Sequence, residues 1–207
     1  GYTVKEATAL FGQLSEMAAT LINLPIILTG ALGVSLVPAI SAARNPLQLQ
    51  KYIGAAFRFT ILLQLPAAAG LYLLAKPIMS LLYASPEAGP ALAASAAICL
   101  FLGLHQTTAG ILQGLGRTGL PVRSLAVGAV VKVVLTYILT ARPALGIKGA
   151  AWASVVTYAV VAILNSYFIQ RLVGLPWDTT TFFLKPLLAT AGMSAVVSHE
   201  LLGFNVV

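Results

Sequence analysis

Apolar residues in this chain come in long unbroken runs, not in the alternating or three-and-four spacings of elements with one wet face. Six stretches reach or approach the roughly 20 residues a helix needs to cross the hydrocarbon of a bilayer. They cover residues 21–43, 53–75, 91–113, 124–141, 149–170 and 186–203. In lipid only helices and closed barrels satisfy every backbone group internally, so runs of this length predict helices. The fold class is therefore all-α integral membrane, a polytopic bundle over residues 21–207. Residues 1–20, with Lys5, Glu6, Gln13 and Glu16, are too polar to span and read as a connection.

Pro25, Pro38 and Pro66 fall inside these runs, where each removes a backbone donor, and bends are expected near them. Gly30, Gly33, Gly54, Gly70, Gly103, Gly110 and Gly128 offer smooth surfaces for close helix approach. Between the second and third runs, Pro77 to Tyr83 is apolar but too short to span, and is followed by Ser85-Pro86-Glu87-Ala88-Gly89-Pro90. An interfacial position is expected for it.

Composition agrees with a lipid solvent: 59% of the residues are hydrophobic and 8% charged, against about a quarter charged in soluble domains. The net charge of +7 does not point to nucleic acid, because the basic residues stand singly between apolar runs and not in a patch interleaved with aromatics. They orient the chain instead. Arg44, Lys51, Arg117, Arg123, Arg171 and Lys185, with Arg58 one turn inside the second helix, share one side with the single acid Asp178. Lys5, Lys76, Arg142 and Lys148 share the other with Glu6, Glu16, Glu87 and Glu200. The positive-inside bias makes the first side cytoplasmic and residues 1–20 extracytoplasmic, in a multi-pass protein of the plasma membrane whose surroundings are membrane lipids. The chain opens on Gly1 and closes on Asn205-Val206-Val207 without a polar tail. Both ends read as cuts in a longer protein.

Gly114-Leu115-Gly116-Arg117-Thr118-Gly119 has dinucleotide-site spacing, but it joins two membrane helices and lacks the strand such a site needs. His105, His199 and Cys99 have no partners at metal-ligand spacing, so no metal or cofactor is expected. With no triad, carboxylate pair or phosphate loop, the residues argue against an enzyme. Lys132 differs, because a charge near the middle of a span costs at least about 2.5 kcal/mol unless it faces a cavity, a partner or a headgroup. The polar cluster His105-Gln106-Thr107-Thr108, with Gln113 beyond it, lies on the third helix, where Gln106 and Gln113, seven apart, share a face; such a stripe suits either a hydrophilic cavity or bonds between helices. Asn23, Gln64 and Asn165 are isolated polar groups with the same two readings, and Arg58 lies close enough to an end to reach headgroups.

Several ordered segments carry a resemblance. They are Leu24-Pro25; Ala31-Leu32-Gly33-Val34-Ser35-Leu36-Val37-Pro38-Ala39-Ile40-Ser41; Arg58-Phe59 through Leu65-Pro66-Ala67-Ala68-Ala69-Gly70-Leu71; Gln106 through Gly116; Gly128-Ala129-Val130-Val131-Lys132; and Ile147-Lys148-Gly149-Ala150-Ala151. Together they resemble polysaccharide and lipid-linked oligosaccharide flippases of the multidrug/oligosaccharidyl-lipid/polysaccharide exporter superfamily, within it the stage V sporulation protein B group. The resemblance implies that the chain forms most of the second lobe of a two-lobed, 14-helix transporter, with the first lobe as its missing partner. The function implied is alternating access that carries a polyprenyl-linked saccharide, a peptidoglycan or polysaccharide precursor, across the bacterial cytoplasmic membrane. Lys132 would meet the headgroup charge, with Gln106, Thr107, Gln113, Asn23 and Arg58 as further substrate-binding candidates. A cation-coupled multidrug exporter of the same superfamily, or a non-transporting scaffold for envelope or sporulation enzymes, are the alternatives.

Overall fold

A computed structural model describes Gly12 and residues 17–142, 147–174 and 185–204, with the side chains of 147 and 200–204 excepted. Most of the connection expected over residues 1–20, with Lys5, Glu6 and Glu16, lies outside the described residues, as do Asp178 and the side chain of Glu200. All described regular structure is helical. The helices are α1 (Ala19–Ser41), α2 (Pro46–Leu73), α3 (Ala75–Tyr83), α4 (Gly89–Ser95), α5 (Ala97–Gly114), α6 (Gly119–Thr140), α7 (Ile147–Val173) and α8 (Lys185–Phe204). Among the described residues, helices α1, α2, α6 and α7 are long and apolar enough to span a membrane, and the bent pair Pro86–Ser95 and Ala97–Gly114 passes the same test only when taken together. The sixth expected run is present as α8 but is not among them, and His199 and Glu200 lie in its last two turns.

The sequence predicts the third helix as a single run over residues 91–113, whereas the structure bends it by 41° at Ala96. The backbone shows why. Ala96 N–H donates to Ala93 O at 3.3 Å and Cys99 N–H to Ala96 O at 3.1 Å, so the ladder tightens from four-residue to three-residue steps at the break. By contrast α1 runs on through Pro25 and Pro38, and α2 through Pro66.

Helix α2 starts a full two turns before its apolar run. Asn45 is extended (φ −149°), its side-chain oxygen accepts from Gln48 N–H at 2.8 Å, and Pro46 takes the first helical position. This is a strong start signal, able to carry the polar turn Gln48 to Lys51 into the helix. The motif at 114–119 is a helix stop followed by a start. Gly116 sits at φ +71°, its N–H donates to Gln113 O at 2.9 Å and Arg117 N–H to Leu112 O at 2.9 Å, which is the Schellman closure of α5. Gly114 is spaced for packing, since a Cβ there would stand 2.8 Å from Ile40 Cβ.

Two apolar clusters lie toward opposite ends of the bundle. One joins Leu36, Ile40, Ile53, Phe57, Leu112 and Ile169. At this end Arg44 and Val173 line one hollow, Gln50 Nε2 donates to Val173 O and Gly174 O at 3.2 Å, and Arg171 stacks 5.3 Å over the Tyr167 ring. Thus the Arg-bearing connections read as cytoplasmic converge in space. The other cluster joins Leu21, Ile22, Ile26, Met79, Leu92 and Cys99. Helix α3 lies there as a short amphipathic element with Ala75 and Met79 buried and Leu81 and Leu82 exposed, which fits the interfacial expectation.

Candidate functional site

Between the two clusters the bundle is held by side-chain hydrogen bonds, most of them made to α5. Gln64 Nε2 on α2 donates to Pro25 O at 3.0 Å and to Thr29 Oγ1 at 2.9 Å, both on α1. Its Oε1 accepts from Cys99 Sγ at 2.7 Å. Thr29 Oγ1 is 3.2 Å from Gln106 Oε1, and the hydroxyls of Thr60 and Thr107 pair at 2.7 Å. On the far side Asn165 Nδ2 on α7 reaches Thr108 Oγ1 at 3.2 Å and His105 Nδ1 at 3.3 Å. These groups give α5 polar ties to α1, α2 and α7 where lipid offers no alternative partners.

Close approach makes those ties possible. A Cβ on Gly110 would stand 2.2 Å from Gly33 O, one on Gly33 would stand 2.9 Å from Gln106 O, and one on Gly30 would stand 3.3 Å from Gln106 Oε1. The α1–α5 contact is therefore a small-residue seam. Gln106 and Thr107 are committed to it and to α2, while Gln113, on the same helix, is exposed. Arg58 is exposed on α2 with Nε donating to Gly54 O at 3.2 Å.

The two remaining candidates come together. Lys132 on α6 and Asn23 on α1 line one groove of about 440 Å³, with Ser95, Thr136, Ser154 and Tyr158. The apolar part of its wall includes Ile22, Ile98 and Leu102. Helix α6 begins at the converged end, so Lys132 stands eight residues, about 12 Å, from the far end of its helix. No acid is among the described residues that line the groove. Four lining groups were not singled out from sequence, yet spacing carries a signal for three: Thr136 is one turn beyond Lys132, and Ser154 and Tyr158 are one turn apart on α7. A wider hollow of about 870 Å³ runs along α3 past Tyr72, Lys76 and Ser80. Those three side chains are exposed, so it is a surface concavity.

A helical bundle with several apolar spans defines a multi-pass membrane protein. The chain belongs to the MatE family, whose family model matches residues 11–138. It is 31% identical over 174 residues to Stage V sporulation protein B of Bacillus subtilis (strain 168), covering 83% of this chain and 34% of that protein. It is also 32% identical over 174 residues to the uncharacterized membrane protein YabM of the same organism, covering 83% and 32%. Lipid II flippase MurJ of that organism is 27% identical over 195 residues, covering 89% and 36%. The chain spans about a third of the length of these relatives. No solved structure matches.

Proposed function

We propose that the protein to which this chain belongs is a flippase that moves a polyprenyl-linked saccharide, a precursor of peptidoglycan or polysaccharide, across the bacterial cytoplasmic membrane. The observation that carries this reading is Lys132, a cation at membrane depth that opens on a groove with hydroxyl and amide neighbours and no acid among the described residues of its lining. A phosphate-bearing headgroup needs such a place, because its charge is costly in hydrocarbon and gains most from a cationic donor. The similarity to the lipid II flippase MurJ favours the same cargo class. A fixed cation in the groove also disfavours the cationic cargo of a multidrug exporter.

The groove lies in the half of the bundle that the charge bias places outward, which suits the outward-open state of an alternating-access cycle. The opposite wall of the pathway belongs to the rest of the polypeptide, and the two lobes would rock about the bound headgroup. Gln106 and Thr107 then act on the site indirectly, by holding α5 against α1 and α2. The test is translocation of a fluorescent undecaprenyl-linked saccharide by the full-length protein in proteoliposomes. Lys132→Ala should cut the rate about tenfold or more with membrane insertion unchanged, as expected when a charge-assisted contact is lost. Undiminished transport by that variant would remove Lys132 from the mechanism, and efflux of cationic dyes in place of lipid transport would replace the flippase with an exporter.

A further inference from the structure

The hollow of about 870 Å³ along α3 lies toward the outward end of the bundle, where Ala75 and Met79 of α3 join Leu92 in the second apolar cluster. Three polar side chains line it at a fixed interval. Tyr72, Lys76 and Ser80 are four residues apart. The backbone stays close to helical across the junction of α2 and α3, since Leu74 N–H donates to Gly70 O and Ile78 N–H to Leu74 O, each at 2.9 Å. The three therefore fall on one line along the element. The side chains of Lys76 and Ser80 make no hydrogen bond or ion pair with any described residue, and no acid is among the described residues that line the hollow. Glu87, in the loop that follows α3, has its Oε1 engaged by Ser85 Oγ at 2.5 Å. Lys76 is positioned from behind, because Gly89 leaves room for its stem: a Cβ there would stand 2.7 Å from Lys76 Cγ. Pro77, Pro86 and Pro90 add rigid wall and offer no N–H.

Depth selects the ligand. Helix α2 has 28 residues and begins at the cytoplasmic end, so it is about 42 Å long against a hydrocarbon layer of about 30 Å. Its end, and Lys76 just beyond it, therefore reach the headgroup level. Leu81 is 85% and Leu82 59% exposed, and these apolar side chains hold α3 against the lipid and out of free water. A cation and two hydroxyls on one line, with prolines that cannot donate, suit one phosphate and the ester oxygens beside it. The volume is within the range of ligand sites. A zwitterionic headgroup would bring an ammonium of its own against Lys76, so net negative charge is selected. From this geometry we infer that the hollow binds an anionic glycerophospholipid with a single phosphate, drawn from the outer leaflet. Lys76 holds the phosphate, and Ser80 and Tyr72 hydrogen-bond its oxygens and those of the glycerol. The bound lipid pins α3, and through it Gly89 at the start of α4, to the membrane surface. The site is separate from the groove at Lys132 and does not rest on the flippase reading.

Cross-linking decides the matter. A photoreactive phosphatidylglycerol is incorporated into phosphatidylcholine proteoliposomes of the full-length protein, and its adducts are mapped by peptide mass spectrometry. Adducts should fall within residues 72–93, the stretch that lines the hollow. Lys76→Met keeps the stem over Gly89 and removes the charge, so it should lower that yield about fivefold with thermal stability unchanged. Lys76→Arg should keep the yield, and Ser80→Ala should lower it about twofold to fivefold. Arg142→Ala removes a cation from the same membrane face but outside the hollow, and should change nothing. Unlabelled phosphatidylglycerol should compete at least fivefold better than phosphatidylethanolamine. Equal competition by that zwitterionic lipid, an undiminished yield in Lys76→Met, or an equal loss in Arg142→Ala would overturn the site. Stronger competition by undecaprenyl phosphate would turn the hollow into an entry point for cargo, and equal competition by inorganic phosphate would turn it into a site for free anions. Either result overturns the phospholipid assignment.

Discussion

Gly110→Ala tests the seam on which the polar ties of the bundle depend. The added methyl would stand 2.2 Å from Gly33 O and 2.8 Å from Gly33 Cα, both backbone atoms that no rotamer change can move. Ordinary contact begins near 3.4 Å, so α1 and α5 must part by 3.4 − 2.2, or 1.2 Å. That shift carries the 3.2 Å contact between Thr29 and Gln106 out of hydrogen-bond range. Overpacking of this kind costs about 1–3 kcal/mol, and an interhelical hydrogen bond in a membrane about 0.6 kcal/mol more. The expected loss is therefore about 2–4 kcal/mol, measured by SDS-driven unfolding of the full-length protein. Gly70→Ala is the control, since nothing lies within 4 Å of a Cβ there, and it should leave stability unchanged or raise it by up to about 1 kcal/mol through helix propensity. A Gly110→Ala protein within about 0.5 kcal/mol of the parent, the range of neutral surface changes, would refute the seam, as would equal damage from Gly70→Ala.

Gln64→Ala strips donors from Pro25 O and Thr29 Oγ1 and an acceptor from Cys99, and should cost about 1–3 kcal/mol in the same unfolding assay. Asn165 already carries a buried Oδ1 with no partner, so Asn165→Leu should stay within about 1 kcal/mol of the parent, whereas Asn165→Asp should cost about 3 kcal/mol or more at neutral pH by burying a charge there. Gly116→Val forces a β-branched residue to φ +71° and should lower stability by about 1–2 kcal/mol, with hydrogen exchange rising first at the closing turn of α5.

The membrane class was legible because 20-residue apolar runs have few physical meanings, and the arginine connections at Arg44, Arg117 and Arg171 sorted to one end as the charge bias required. Helix starts were less legible. Asn45-Pro46 overrode the polarity of Gln48 to Lys51, a local capping effect that a hydropathy run does not weigh. The break at Ala96 has no proline or glycine at the break itself, and only the tightened hydrogen bonds reveal it. Lys132 stood out as a charge in lipid, and Asn23 as a lone amide. Their meeting across the groove is a tertiary fact. The stripe of Gln106 and Gln113 illustrates the limit of one-helix reasoning: they are seven residues apart on one face, yet α1 covers the first and leaves the second exposed.

Helix α6, the wall that carries Lys132, packs chiefly on α7, with Gly128 seated under Val161. During synthesis α6 leaves the ribosome ahead of α7, so Lys132 reaches the bilayer before that support does. Eleven Leu, Val and Ile residues share the helix with it, each contributing about −0.3 to −0.6 kcal/mol of insertion free energy against about +2.5 to +3.5 for a lysine at the centre. The sum favours entry by a few kcal/mol at most. The valine-rich flanks on either side of Lys132 therefore carry the insertion balance of α6, and polar substitutions among Val130, Val131, Val133 and Val134 should show as lost membrane topology.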